Sequence, residues 1–121
     1  MIRSRKKVLV VDDNAVFRKA FSEVLAQIDE IEVIGYADDG RECVDMINKM
    51  DIDIIFMDIK MPNMNGIEAT KRIIREYRMI KVIAISFYDD IQYMTDIIMA
   101  GARGFLVKSA ITRSDIINAI S

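Results

Sequence analysis

The first hydrophobic run of the chain ends at once in carboxylates: Lys7-Val8-Leu9-Val10-Val11-Asp12-Asp13-Asn14. Four apolar residues, three of them valine, are typical of a short strand covered on both faces, as the strands of a parallel sheet are. Asp12 and Asp13 then stand side by side and repel each other at neutral pH. A fold that keeps both acids at a strand end therefore needs something to hold them there.

Four later runs are also short and largely apolar, and they predict further strands: Val33–Tyr36, Ile54–Met57, Val82–Ile85 and Gly104–Val107. Between the runs, apolar residues recur at the spacing of one helix face. In the five predicted helices these residues are Phe17, Phe21, Val24, Leu25 and Ile28; Val44, Ile47 and Met50; Ile67, Ile73, Ile74 and Tyr77; Ile91, Met94, Ile98 and Ala102; and Ile116, Ile117 and Ile120, after a cap at Thr112. Five β-α units in sequence predict an α/β fold with a doubly wound parallel sheet, in one domain over residues 1–121.

Composition limits the classes of function. The chain has 121 residues, 52% of them hydrophobic, and its 17 basic and 19 acidic side chains give a net charge of −2, which argues against nucleic acid as its main partner. No apolar run approaches the roughly 20 residues that span a bilayer, so we expect a cytoplasmic protein without a membrane partner. The single cysteine, Cys43, is predicted to be a buried core thiol. The absence of histidine excludes Ser-His and Cys-His nucleophiles and most transition-metal sites.

Charged and hydroxyl groups follow the predicted strands at the edge where ligands bind in open parallel sheets. Asp12 and Asp13 follow the first strand, Asp58 the third, Ser86 ends the fourth, and Lys108 follows the fifth. Three converging carboxylates require a cation, and Mg²⁺ prefers such oxygen ligands. A divalent cation, a lysine and a hydroxyl around a carboxylate are what phosphoryl transfer to that carboxylate would need.

Each of these residues also has an ordinary explanation. Asp12 and Asp13 could form only a turn and helix cap, Ser86 only a cap for the next helix, and Lys108 only a solvated loop cation. Their joint occurrence at the ends of four strands favours a shared site.

The motifs that carry these residues resemble the receiver domain of two-component response regulators. They are Val-Leu-Val-Val-Asp-Asp-Asn at 8–14, Phe-Met-Asp-Ile-Lys-Met-Pro-Asn-Met-Asn-Gly at 56–66, Ala-Ile-Ser at 84–86 and Gly-Ala-Arg-Gly-Phe-Leu-Val-Lys at 101–108. The resemblance runs from Lys7 to Ile120 and implies a flavodoxin-like sheet in the order 2-1-3-4-5.

The resemblance also implies roles for single residues. Asp58 would be the phosphoacceptor, with Asp12, Asp13, Asp58 and the backbone carbonyl of Lys60 as ligands of Mg²⁺. Ser86 would bond the phosphoryl group and Lys108 would pair with it. Phe105, with Ser86, would be the switch residue.

Partners follow from the same resemblance. A histidine kinase or phosphotransfer protein would supply the phosphoryl group, since this chain has no histidine of its own. Phosphorylation would change the face formed by the fourth helix, the fifth strand and the fifth helix, and would promote a homodimer or partner docking. The chain would be a signalling domain rather than an enzyme, catalysing only its own phosphoryl transfer and autodephosphorylation. The stretch Gly101–Ser109 is similar to receivers joined to a LuxR-like helix-turn-helix, so the output would be transcription, through a nucleic-acid-binding domain absent from this chain; a stand-alone receiver is the alternative.

Three positions depart from the commonest family pattern. Ser109 stands where a proline usually follows Lys108, so a trans bond or a rearranged loop is expected. Phe105 replaces a frequent tyrosine, and Ser86 a frequent threonine.

Lys60 and Tyr88 each lie two residues beyond a site residue, Asp58 and Ser86 respectively. Their side chains are predicted to obstruct the water that would hydrolyse the aspartyl phosphate, unless both lie in solvent.

Three other classes compete with this interpretation. A haloacid dehalogenase-type enzyme would carry Asp-x-Asp after the first strand, where this chain has Asp12-Asp13-Asn14. A flavodoxin would carry a hydroxyl-rich phosphate loop there instead of carboxylates. A pseudo-receiver would have lost part of the acidic, hydroxyl and lysine set that is intact here.

The predicted fourth helix, about residues 89–100, is richer in apolar residues than one buried stripe requires, which indicates either a docking surface or a wide core stripe.

Overall fold

The computed structural model describes residues 4–87 and 91–121. Its strands are β1 (Lys6–Val11), β2 (Ile31–Ala37), β3 (Ile54–Asp58), β4 (Lys81–Ser86) and β5 (Gly104–Val107). Its helices are α1 (Ala15–Leu25), α2 (Gly40–Ile47), α3 (Gly66–Glu76), α4 (Ile91–Ala100) and α5 (Arg113–Ile120), with one turn of 3-10 helix at Lys108–Ala110. All five predicted strands and all five helices are present, and most strand ends differ from the prediction by one or two residues. Four residues predicted on helix faces lie beyond the helix ends: Ile28, Met50, Tyr77 and Ala102. Positions 89 and 90 of the predicted fourth helix lie outside the described residues.

The five strands form one parallel sheet in the order β2-β1-β3-β4-β5, as expected for a flavodoxin-like fold. Val11 at the end of β1 pairs in register with Met57 of β3, and Ser86 at the end of β4 pairs with Val107 of β5. Because the strands are parallel, their carboxyl ends meet at one edge. This register brings the residues that follow β1, β3 and β5 to the same edge as Ser86.

Helices cover both faces of the sheet, so successive strand residues enter two separate cores. Val10 lies in a cluster with Phe21 of α1 and Ile116 of α5. Val11 lies in the other cluster, together with Ile97 of α4 and residues of α2 and α3. Burial on both faces explains why Val8–Val11 of β1 are apolar without alternation.

The predicted helix stripes are partly wrong. Val24 of α1 is 41% exposed, and on α4 Ile91 and Ile98 are 79% and 44% exposed. Ile97, which the predicted α4 stripe omitted, is the fully buried residue of that helix. The α4 sequence is so rich in isoleucine and methionine that its apolar positions fit more than one face.

Two predictions about single core and cap residues are confirmed. Cys43 is fully buried, and this burial raises the pKa of its thiol to about 12, which leaves the thiol un-ionised at neutral pH. Thr112 caps α5 by accepting a hydrogen bond from the Asp115 N–H, and the Asp115 carboxylate accepts one from the Thr112 N–H in return. Within residues 4–87 and 91–121, no helix is both long enough and apolar enough to cross a membrane.

Candidate functional site

The end of β1 holds one buried and one exposed carboxylate. Asp12 is fully buried, and its Oδ1 accepts a hydrogen bond from the Asn14 N–H at 2.8 Å, whereas Asp13 is exposed. The Asn14 side chain caps α1 by accepting from the Phe17 N–H at 3.0 Å. The Arg18 side chain donates to the main-chain carbonyl of Asp12 at 2.9 Å. The cap of α1 is therefore Asn14 rather than Asp12 or Asp13, and Asp12 takes part in the turn through its hydrogen bond from the Asn14 N–H.

Asp58 ends β3 and is almost completely buried, with 6% of its surface exposed. Its Oδ1 accepts a hydrogen bond from the Ile59 N–H at 2.9 Å. Gly66 holds the loop after Asp58 close to the end of β3, because its N–H donates a hydrogen bond to the Ile59 carbonyl at 2.7 Å. A Cβ atom at position 66 would lie 2.0 Å from the main-chain carbonyl oxygen of Asp58, so only glycine fits this approach.

The three acids converge as the sequence predicts. Asp12, Asp13 and Asp58 each offer a carboxylate oxygen, and these oxygens lie within 4.8 Å of one another. Burial raises the pKa of the Asp58 carboxyl, and the nearby Asp12 charge raises it further, to about 7, although Lys108 and the Ile59 N–H act in the opposite direction. The negative charges of Asp58 and of the neighbouring Asp12 therefore need a nearby cation to offset them.

Lys108 supplies one positive charge to this cluster. Its Nζ lies 2.5 Å from Asp12 Oδ2 and 3.6 Å from Asp58 Oδ1, and its side chain is only 2% exposed. The Lys108–Ser109 bond is trans, as predicted for a non-proline residue, and Lys108 begins the 3-10 turn. The alternative prediction, that Lys108 is only a solvated cation in a loop, is therefore wrong.

The acidic residues fit a hard divalent cation. The buried Oδ2 of Asp12 pairs with the Lys108 ammonium and accepts no other hydrogen bond from the described residues. Carboxylate oxygens with free lone pairs are the ligands that Mg²⁺ prefers. Lys60, whose backbone carbonyl is predicted to join them, lines the same cavity as Asp13 and Asp58.

Ser86 also reaches this cavity, but Phe105 does not. The cavity has a volume of about 150 Å³ and is lined by Asp13, Asn14, Asp58, Lys60, Ser86, Phe87 and Lys108. Ser86 is 4% exposed at the end of β4. Phe105 is half-buried on β5 and packs against the core cluster of α2, α3 and α4. Of the predicted site residues, Phe105 is therefore the one that lies away from the carboxylates.

The structure also brings two aromatic rings to the site that sequence reasoning did not assign to it. The Lys108 Nζ lies 4.4 Å from the centre of the Phe17 ring and 4.8 Å from that of Phe87. Phe17 was assigned to the core stripe of α1 by its spacing. Phe87 could have been suspected, because a bulky apolar residue directly follows Ser86 at a strand end.

Lys60 and Tyr88 are the two residues predicted to obstruct a hydrolytic water. Tyr88 lies outside the described residues. Lys60 borders the cavity, and its ammonium lies 4.6 Å from the centre of the Tyr93 ring on α4. The Lys60 side chain thus connects the loop after Asp58 with α4.

Comparison with known proteins identifies the family of this fold and acidic site. The family model described as the response regulator receiver domain matches residues 8–121. The transcriptional regulatory protein DegU of Brevibacillus brevis is 38% identical over 102 residues, which are 84% of this chain and 43% of that protein. The chain therefore spans less than half the length of this relative.

Two solved structures extend the likeness to three dimensions. The signal receiver domain of the response regulator NarL from Mycobacterium tuberculosis superposes with a TM-score of 0.87 at 30% identity, covering 98% of this chain and 94% of that one. A CheX-CheY-BeF₃-Mg²⁺ complex from Borrelia burgdorferi gives a TM-score of 0.85 at 30% identity, covering 95% of this chain and 86% of the matched one. Given the match over residues 8–121, the sheet order and the acidic cluster, this chain belongs to the response regulator receiver domain family.

Proposed function

We propose that Asp58 accepts a phosphoryl group from a histidine kinase or phosphotransfer protein in a Mg²⁺-dependent reaction, and that this modification controls an output. Receiver domains are signalling domains, and phosphorylation, output control and Mg²⁺ binding at an acidic pocket are general properties of the family. The observation that carries the proposal is the Lys108 ammonium 3.6 Å from Asp58 Oδ1, within a cluster of three carboxylates. A pseudo-receiver without the chemistry would have no need of this arrangement.

The reaction itself is a displacement at phosphorus. An Asp58 oxygen forms the new bond to phosphorus while the bond from phosphorus to the donor's imidazole nitrogen breaks, and the imidazole leaves with that electron pair. Lys108 offsets the negative charge on the incoming phosphoryl oxygens, and the Ser86 hydroxyl donates a hydrogen bond to one of them. Asp12, Asp13, Asp58 and the Lys60 backbone carbonyl would hold Mg²⁺, which neutralises charge on the phosphoryl group when bound.

The nearly neutral pKa of Asp58 bears on this reaction. The nucleophile must be the carboxylate, and burial beside Asp12 raises the pKa of Asp58 and so disfavours this ionised form. A divalent cation among the three acids would favour the ionised form. Metal dependence of the proposed reaction thus follows from burial of Asp58 beside Asp12.

The output is proposed to pass through Ser86 and Phe105. A charge-assisted hydrogen bond to the phosphoryl group would draw Ser86 inward, and the half-buried Phe105 ring would turn into the space behind it. The adjoining surface of α4 exposes Ile91, Ile98 and Met99. Phosphorylation would shift this face toward homodimerisation or partner docking.

Transcription is the proposed output, in the cytoplasm. DegU, a transcriptional regulatory protein, is more than twice as long as its segment matched here. DNA binding would therefore belong to an output domain outside residues 1–121, because a chain of net charge −2 lacks the basic excess for it.

A phosphorylation assay tests the proposed function. Incubation with acetyl phosphate and Mg²⁺, followed by intact-mass spectrometry, should show one added phosphate on the wild type and none on Asp58→Asn. Asp51→Asn, at an exposed acid paired only loosely with Lys7 at 3.6 Å, is the matched control and should be labelled like the wild type. Equal labelling of Asp58→Asn would overturn the assignment, and no labelling of the wild type would support a pseudo-receiver.

A further inference from the structure

We propose that Phe17 and Phe87 are positioning residues for Lys108, and that their rings hold the lysine ammonium in place for the phosphoryl group. The proposal rests on the proposed function of Asp58, since it explains what holds the Lys108 ammonium near that carboxylate. Phe17 packs against the core cluster that contains Phe21 and Phe56, whereas Phe87 is 53% exposed.

The geometry is that of a cation between two aromatic walls. The Lys108 Nζ lies 4.4 Å from the Phe17 centroid and 4.8 Å from the Phe87 centroid, inside the ~6 Å range of cation–π attraction. The two rings are 6.3 Å apart and inclined at 64°, so they form the two walls of an angled cleft. The lysine ammonium lies against both walls, and the lysine side chain is only 2% exposed.

One wall of the cleft is anchored in the core. Phe17 stacks on Phe21 with centroids 5.3 Å apart and an angle of 18°. Phe21 in turn meets the buried Phe56 of β3 edge to face at 5.1 Å. This chain of rings fixes Phe17 relative to the sheet, and Phe87 closes the cleft from the end of β4.

The lysine needs such support for a physical reason. A lysine stem has four rotatable carbons, and its ammonium is strongly hydrated in water. Burial of Lys108 removes most of that water, and the ion pair with Asp12 replaces it on only one side of the ammonium. The negative faces of two rings replace part of the lost hydration and restrict the ammonium to positions near Asp58.

The competing explanation is that both phenylalanines are apolar cover without electrostatic effect. Leucine would then serve at least as well as tyrosine, because it is apolar and lacks a hydroxyl. If the ring face matters, tyrosine preserves the effect and leucine removes it. Phe87→Leu, Phe87→Tyr, Phe17→Leu and Phe17→Tyr therefore separate the two explanations.

The first measurement is the kinetics of phosphorylation by acetyl phosphate at saturating Mg²⁺. Each leucine variant should lower the maximal rate roughly 2- to 30-fold with little change in the half-saturating donor concentration, and each tyrosine variant should stay within about twofold of the wild type. Leucine and tyrosine variants with equal rates would overturn the proposal. Phe87 is half exposed, so Phe87→Leu and Phe87→Tyr decide the question if a Phe17 variant fails to fold.

The second measurement does not depend on phosphorylation. In NMR spectra the ε-methylene protons of Lys108, identified by their loss in Lys108→Arg, should lie upfield of those of the other lysines because of the two ring currents. They should remain upfield in the tyrosine variants and move downfield in the leucine variants. An unshifted Lys108 signal in the wild type would overturn the proposal even if Asp58 is phosphorylated. If the wild type takes no phosphate, the proposed function fails, while the methylene shift still decides whether the rings hold Lys108.

Discussion

The Lys108 ammonium lies 2.5 Å from the buried Oδ2 of Asp12. This ion pair places the lysine against an oxygen that is proposed as a metal ligand. Lys108 and a divalent cation are therefore expected to compete for Asp12.

Removing the ammonium should thus strengthen metal binding while weakening phosphoryl transfer. Lys108→Met should bind Mg²⁺ roughly 3- to 10-fold more tightly at pH 8 and should be phosphorylated more slowly. Calorimetric titration measures the affinity. Lys71→Met, at an exposed position on α3, should bind Mg²⁺ like the wild type. Weaker Mg²⁺ binding by Lys108→Met would contradict the competition.

The raised pKa of Asp58 predicts a pH-dependent stability difference in the metal-free protein. Between the ordinary pKa of 3.8 and about 7, the folded state holds a proton at Asp58 that the unfolded state has lost, so this group's contribution to stability falls as the pH rises through that window. Asp58→Asn should be more stable than the wild type at pH 8 by roughly 1–3 kcal/mol, with the difference shrinking toward pH 4. Urea unfolding in EDTA measures both proteins. A difference that is constant with pH would rule out the shift.

Gly66 should tolerate no side chain, because its Cβ would lie 2.0 Å from the Asp58 carbonyl oxygen. Gly66→Ala is expected to destabilise the fold by about 2–3 kcal/mol and to slow phosphorylation, since the backbone of Asp58 must move. Gly104→Ala is the control, because the nearest atom to its Cβ would be a side-chain carbon of Ile83 at 3.7 Å. Equal unfolding midpoints for the two variants would refute this account of the loop.

The exposed apolar face of α4 should mediate the proposed output. With a beryllium fluoride mimic of the phosphoryl group, sedimentation should show self-association of the wild type, and Phe105→Ala and Met99→Glu should reduce it. Met79→Glu is a matched control, because Met79 is 90% exposed in the segment between α3 and β4 and Met99 is 82% exposed on α4. If Met79→Glu and Met99→Glu behave alike while all variants bind the mimic, this face is not the interface.

Much of the fold could be predicted because the strands are buried on both faces. Val8–Val11 and Ile54–Met57 are apolar without alternation, and only a covered parallel strand accounts for that. The α4 stripe could not be predicted, because a helix with isoleucine or methionine on every side does not reveal that Ile97 alone is fully buried.

The candidate site was predictable where residues follow strand ends. Asp12, Asp58, Ser86 and Lys108 were located by the rule that parallel strands share one functional edge. The Phe17 and Phe87 contacts with Lys108 could not be predicted in this way. They depend on the rotamer of a long side chain and on the first turn of α1 lying beside Phe87, which no spacing in the sequence encodes.

The most direct test of the central claim is to locate the phosphoryl group within the chain. After treatment with acetyl phosphate and Mg²⁺, borohydride reduces an aspartyl phosphate to homoserine, and tandem mass spectrometry of peptides then identifies the position. We predict homoserine at position 58 alone, dependent on Mg²⁺ and prevented by EDTA. Homoserine at Asp12 or Asp13, or none at position 58 in a protein that carries phosphate, would contradict the account.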